Sequence, residues 1–146
     1  KWWEASGKID KKIILLMKPT TYMNNSGEAL VDFIGVKNLE IEDILVVFDD
    51  ADLPPGKIRI RTKGASGVHK GLESIIYQLG TENFSRLRIG IGKEGSDLVD
   101  WVLSPFKKDE WKEMEKSIEK SCEAILIWVK NGVQKAMDIF NKGEEI

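Results

Sequence analysis

Apolar and polar positions alternate along this chain with two different periods, and the switch between them sets out an α/β order of elements. Ile13–Met17 is a short apolar run with β-branched residues, closed by Lys18-Pro19, and predicts a buried strand. Asn25-Ser26 predicts a helix start, after which Ala29, Leu30, Phe33 and Ile34 recur at helical spacing as far as Gly35. Ile44–Phe48 is a second unbroken apolar run, expected as a central strand covered on both faces. Pro54-Pro55-Gly56 marks a turn. Lys57–Lys63 then alternates strictly, which puts Lys57, Arg59, Arg61 and Lys63 on one face of a strand and Ile58 and Ile60 on the other. Gly71–Leu79 predicts a short helix. Leu87–Ile91 predicts another strand, with Arg86 and Arg88 on the face opposite Leu87 and Ile89.

The last third is helical. Trp111, Met114, Ile118, Cys122, Ile125 and Val129 follow three-four spacing, the apolar stripe of a helix from about Lys107 to Lys130. Asn131-Gly132 stops it, and Val133–Phe140 supplies a short final helix. Strands alternating with helices favour a mixed, mainly parallel twisted sheet with helices packed around it. The 146 residues show no repeat, no low-complexity tract and no linker long enough to separate two domains, so one domain over 1–146 is expected.

Charge changes the picture more than composition does. The chain is acidic, with a net charge of -2. Yet Lys57, Arg59, Arg61, Lys63, Lys70, Arg86, Arg88 and Lys93 face only Glu73 and Glu82 within the same stretch. A segregated basic block in an acidic protein points to a local anionic partner. Apolar content of 42% is that of a globular protein. The one cysteine, Cys122, excludes an internal disulfide and, in its apolar stripe, is expected to be a buried small hydrophobe. No apolar run is long enough to span a bilayer, and Lys1-Trp2-Trp3-Glu4 lacks a signal-peptide layout. The chain reads as cytoplasmic, with no membrane partner.

Three clusters could carry chemistry. Asp49, Asp50 and Asp52 directly follow a strand, where α/β sheets present ligand sites. They suit a magnesium site, a carboxylate that orients a histidine, or acids capping a turn. No nucleotide-phosphate loop accompanies them, and the glycines around His69 have neither Walker nor dinucleotide spacing. His69, the only histidine, lies between the basic strand and a helix start, where it serves either as a structural hydrogen-bonding residue or as part of a reactive centre. Lys18–Gly27 places Tyr22, Met23 and Asn24 at a strand end. That set either stacks and hydrogen-bonds an unpaired nucleotide or forms a helix cap with a hydrophobic staple.

KPTTYMNNSG, VVFDDADLPPGKIRIR, GASGVHKGLESI and NFSRLRIGIG, in this order and spacing, closely resemble the bacterial-type peptidyl-tRNA hydrolases over essentially the whole chain. The resemblance implies a monomeric α/β esterase that cleaves the ester joining a peptide to the 3′ end of tRNA and recycles tRNA from stalled translation. It implies no cofactor and no metal. By position, Tyr22 and Asn24 match tRNA- and substrate-contacting residues, with Met23 lining the same crevice. Asp49 matches the carboxylate that keeps the catalytic histidine in its working form, and His69 matches a supporting histidine. Arg61 and Arg88 match a basic pair that grips the terminal phosphate of the acceptor stem.

Two positions depart from the family pattern. Lys70 stands where the family has an asparagine that contacts tRNA and helps position the attacking water, and Val68 stands where glycine is usual. The chain also starts without methionine. In the family, a first strand, a Gly-Asn-Pro-Gly loop and the general-base histidine precede the segment aligned with Lys1. A polypeptide without them is expected to be nearly inactive, with an uncovered sheet edge prone to association. The alternative function is a non-catalytic RNA-binding relative of the same fold, like a plant organellar intron-splicing factor.

Overall fold

A computed structural model describes residues 1–92 and 108–142. Lys93 and Lys107, placed above in the basic block and at a helix start, lie outside them. The chain folds into two compact units, passing from one to the other after Leu45, Arg61 and Ser85: Lys1–Leu45 with Thr62–Ser85, and Val46–Arg61 with Arg86–Ile146.

The first unit opens on a hairpin. β1 (Trp2–Ile9) pairs antiparallel with β2 (Lys12–Pro19) along its whole length. A two-residue turn with Asp10 at φ 54 reverses the chain, since a left-handed residue at the first central position matches the twist of the strands. One face meets α1 (Ser26–Lys37), where Trp2 stands edge-on to Phe33 at 5.5 Å between ring centroids. Glu4 pairs with Lys37 at 2.8 Å, and Lys1 with Asp32. Trp3, Ala5 and Leu16 lie on the other face. Trp3 is 73% exposed and Leu16 60%, so the run expected as a buried strand is only half covered. A two-stranded sheet flanked by one helix has a single sheltered face.

α1 packs on α2 (Lys70–Leu79). The helices approach so closely at Gly27 that a Cβ there would sit 2.2 Å from the Ser74 carbonyl oxygen. Gly27 N–H donates to Ser74 Oγ at 2.9 Å. Ala29, Leu30 and Phe33 of α1 and Leu72 and Ile75 of α2 are the buried apolar positions of the two helices.

The second unit is built on a three-stranded sheet in the order β3 (Leu45–Asp50), β5 (Ser85–Gly90), β4 (Ile58–Arg61). β4 and β5 run antiparallel, Ile58 opposite Ile89 and Arg61 opposite Arg86. The α/β class and the mixed sheet hold. The two pairings with defined register are antiparallel, where alternation of strands and helices favours parallel neighbours. β3 is an edge strand of its sheet among the described residues, not a central one, and Val47 is 45% exposed.

α3 (Lys108–Asn131) and α4 (Val133–Phe140) pack together, and α4 also lies on β4. α3 buries Met114, Ser117, Ser121, Ala124 and Val129, a stripe rotated from the most apolar one in the sequence. Trp111 and Ile118 are exposed, and so is Cys122, which corrects its expected burial. Small side chains win the buried stripe because they allow close approach. Their hydroxyls are satisfied within the helix, Ser117 Oγ donating to Glu113 O at 3.3 Å and Ser121 Oγ to Ser117 O at 2.7 Å.

Asn141, just past α4, guards the outer edge of β4. Its Nδ2 donates to Ile60 O at 2.9 Å, and its Oδ1 accepts from Ile60 N at 3.0 Å. One amide side chain thus supplies both halves of a missing strand neighbour.

Candidate functional site

In the first unit, β2 ends at Pro19 and the chain turns through a short 3-10 turn, Met23–Asn25, directly into α1. Neither Tyr22 nor Asn25 caps a helix with its side chain. Ser26 Oγ secures the turn instead, donating to Met23 O at 2.8 Å. The capping alternative for this segment therefore fails, and Tyr22, 85% exposed, carries its ring into solvent. Met23 and Asn24 are also exposed.

This turn abuts the start of α2. A Cβ at Gly71 would come within 2.5 Å of Met23 Sδ and 3.0 Å of the His69 ring, so glycine is what lets the thioether and the imidazole share that space. Tyr22, Met23, Asn24, His69 and Lys70 accordingly gather at one end of the unit.

His69 is the N-cap of α2. Its Nδ1 accepts the Leu72 N–H at 3.1 Å, satisfying one of the orphan donors of the first turn. A ring nitrogen that accepts carries no proton, so the neutral ring is protonated at Nε2. With Nδ1 accepting, Nε2 is the ring nitrogen able to donate. Lys70, the first residue of α2, is exposed and reaches Glu73 at 3.6 Å one turn on.

In the second unit, β3 delivers Asp49 and Asp50 at its C-terminal end. Asp49 is half-buried. Asp50 is buried; its Oδ1 accepts the Asp52 N–H at 2.8 Å, and its Oδ2 lies 2.5 Å from Arg88 Nη2. Among the three aspartates, Asp50 makes a close ion pair with an arginine. Among the described residues no group of three or more His, Cys, Asp or Glu side chains could hold a metal ion.

The register of β4 and β5 sets Arg59 opposite Arg88 and Arg61 opposite Arg86, all four on the face away from Ile60 and Leu87. The predicted pair Arg61 and Arg88 is diagonal, roughly 7–8 Å apart by ordinary sheet geometry. Arg61 Nη1 donates to Ile60 O at 3.1 Å. Arg86 is 2% exposed and Arg88 29%, so the four guanidinium groups do not form a uniform solvated surface. The alternation placed these arginines, but nothing in it marked Asp50 as the partner of Arg88. An acid at the end of the strand that precedes the basic one was the available signal.

One unit of this α/β fold presents an aromatic ring, amides and a helix-capping histidine, and the other presents arginines beside a buried acid. The model of the peptidyl-tRNA hydrolase family matches residues 2–146. A peptidyl-tRNA hydrolase of Caldanaerobacter subterraneus is 49% identical over 138 residues, covering 94% of this chain and 75% of that protein. One from a Thermoanaerobacter strain is 46% identical over 137 residues, covering 94% and 74%. The crystal structure of peptidyl-tRNA hydrolase from Acinetobacter baumannii superposes with a TM-score of 0.90 at 34% identity, over 97% of this chain and 72% of that one. The chain belongs to the peptidyl-tRNA hydrolase family, hydrolases of the peptidyl-tRNA ester bond.

Proposed function

We propose that the residues gathered in the two units serve the family reaction, hydrolysis of the ester between a peptide and the 3′ end of tRNA, which returns tRNA from stalled translation to use. The observation that carries this reading is the family match over residues 2–146. In the reaction, water oxygen bonds to the ester carbonyl carbon, the bond from that carbon to the ribose oxygen breaks, and the ribose oxygen takes a proton. A base must accept the proton of the attacking water.

His69 does not supply that base through Nδ1 while it caps α2, because Nδ1 is committed to Leu72 N–H. Its role is to donate through Nε2 to the substrate. Asp49 is the carboxylate that holds the base imidazole in its working tautomer. Tyr22 stacks on the unpaired 3′ end, Met23 provides an apolar wall, and Asn24 hydrogen-bonds the same segment; the exposure of all three supports this. Lys70 stands at the start of α2, where its ammonium attracts phosphate but cannot accept a hydrogen bond from the water as an amide oxygen can. Arg61 and Arg88 grip the terminal phosphate of the acceptor stem, supported by their diagonal placement on one sheet face.

No helix among the described residues is long and apolar enough to cross a membrane. The reading places the protein in the cytoplasm as a monomer acting without a metal. Turnover of N-blocked aminoacyl-tRNA to free tRNA by the protein as encoded in its gene tests the function directly. Tight tRNA binding with no ester cleavage would replace this reading with that of a non-catalytic RNA-binding relative.

A further inference from the structure

Asp50 and Arg86 are the ionisable side chains among the buried polar residues described, and Asp50 is anchored through both its backbone and its carboxylate. Its carbonyl oxygen accepts Ile91 N–H at 3.0 Å and Leu53 N–H at 3.4 Å, which anchors its backbone to the chain leaving β5 and to the following turn. Oδ1 accepts Asp52 N–H. Oδ2 is buried, makes no directed hydrogen bond, and has Arg88 Nη2 at 2.5 Å as its counter-charge. A carboxylate so fixed cannot follow a mobile arginine; the arginine must come to it.

The register explains why Arg88 needs such a fixed point. It stands directly opposite Arg59, and Arg61 directly opposite Arg86. Like charges facing each other across a sheet repel. A flexible guanidinium in that position relaxes toward solvent unless something holds it. Asp50 takes one Nη and leaves the side chain 29% exposed, and arginine has five N–H donors in a planar fork.

We infer that Asp50 is a positioning residue, fixing the Arg88 guanidinium by Nη2 so that the remaining edge of its fork is presented to a substrate phosphate. This rests on the phosphate-gripping role proposed above for Arg88. Asp50 itself touches no substrate. It converts one arginine of a basic face from a diffuse charge into an oriented donor, and so makes the face selective for a phosphate at one place.

Asp50→Asn tests this in the protein as encoded, since the amide keeps an oxygen for Asp52 N–H while removing the charge that holds Arg88. The readout is the ratio of Kd values for acceptor-stem hairpins with and without a 5′-phosphate. The preference for the phosphorylated stem is expected to shrink roughly tenfold, the scale of one charge-assisted hydrogen bond lost. Affinity for the stem lacking the phosphate is expected to hold or rise, because a negative charge has gone. An unchanged or enlarged preference overturns the inference, since Asp50 would then only neutralise Arg88.

Arg61→Ala and Arg88→Lys, both with Asp50 intact, separate this from the underlying reading. If neither lowers the preference, the phosphate grip itself is wrong. If Arg88→Lys lowers it and Asp50→Asn does not, positioning alone is wrong. Should Asp50→Asn fail to fold, the unsubstituted protein still decides: slow guanidinium rotation of Arg88 by NMR without RNA supports the inference, and free rotation overturns it.

Discussion

His69 shows how one side chain's two nitrogens separate structure from chemistry. Nδ1 closes the first turn of α2 through Leu72 N–H, and this leaves Nε2 as the donor. Asparagine can reproduce the capping acceptor, and glutamine can reproduce a donor at the reach of Nε2. We expect His69→Asn to retain the melting temperature while lowering kcat/KM. His69→Gln should lose about 1 kcal/mol of stability, the usual worth of an N-cap, and retain more of the activity. Equal stability and equal activity for both variants would show that the cap and the donor are not divided between the nitrogens. The histidine stood out in the sequence as the only one, at a helix start. Which nitrogen faced the helix was set by the three-dimensional path of Ser66–Leu72 and could not be read from spacing. Cys122 makes the same point from the other side. It sits in the most apolar stripe of α3 and is exposed all the same, because the close-packed side of that helix selected Ser117, Ser121 and Ala124.

Helices announced their ends well. α1 starts at Ser26 and runs to Lys37, where Asn38 adopts a left-handed C-cap, two residues past the expected Gly35. α4 covers Val133–Phe140 as its pattern predicts. Local rules govern these ends, since capping and backbone conformation involve only near neighbours. β1 was missed for the opposite reason. Trp2–Ile9 contains Glu4, Ser6, Gly7 and Lys8, poor strand formers, and it is extended because β2 pairs with every residue of it. Asn141 belongs to the same class of long-range contact, 81 residues from the strand it protects. Asn141→Ala leaves the outward N–H and C=O of Ile60 without that partner in a part-buried setting. We expect a loss of about 1–2 kcal/mol, within the range for unmade hydrogen bonds, read as a lower denaturant midpoint at constant m-value. A change near zero would mean that water replaces the amide at no cost.

At the scale of the molecule, the hairpin's outer face leaves apolar side chains of the first unit exposed. Trp3 and Leu16 stand on it, Trp3 across from Lys18 and Leu16 across from Ala5. Exposed apolar patches of this kind favour association. Replacing both residues, Trp3→Lys with Leu16→Lys, is expected to reduce concentration-dependent light scattering while changing the unfolding free energy by no more than about 1 kcal/mol, the scale of two surface substitutions. Scattering that stays the same would place the sticky surface elsewhere. The sequence by itself determined the α/β class, the helices, the basic strand face and the family, through four motifs whose order and spacing are local properties of the chain. Periodicity fixes which residues share a face, and motif order survives without any knowledge of packing. Tertiary structure alone decided the order β3-β5-β4, the phase of α3, the edge cover by Asn141 and the tie of Asp50 to Arg88. Each of these depends on which distant segments meet, and burial energy and counter-charge are exchanged only between segments that do.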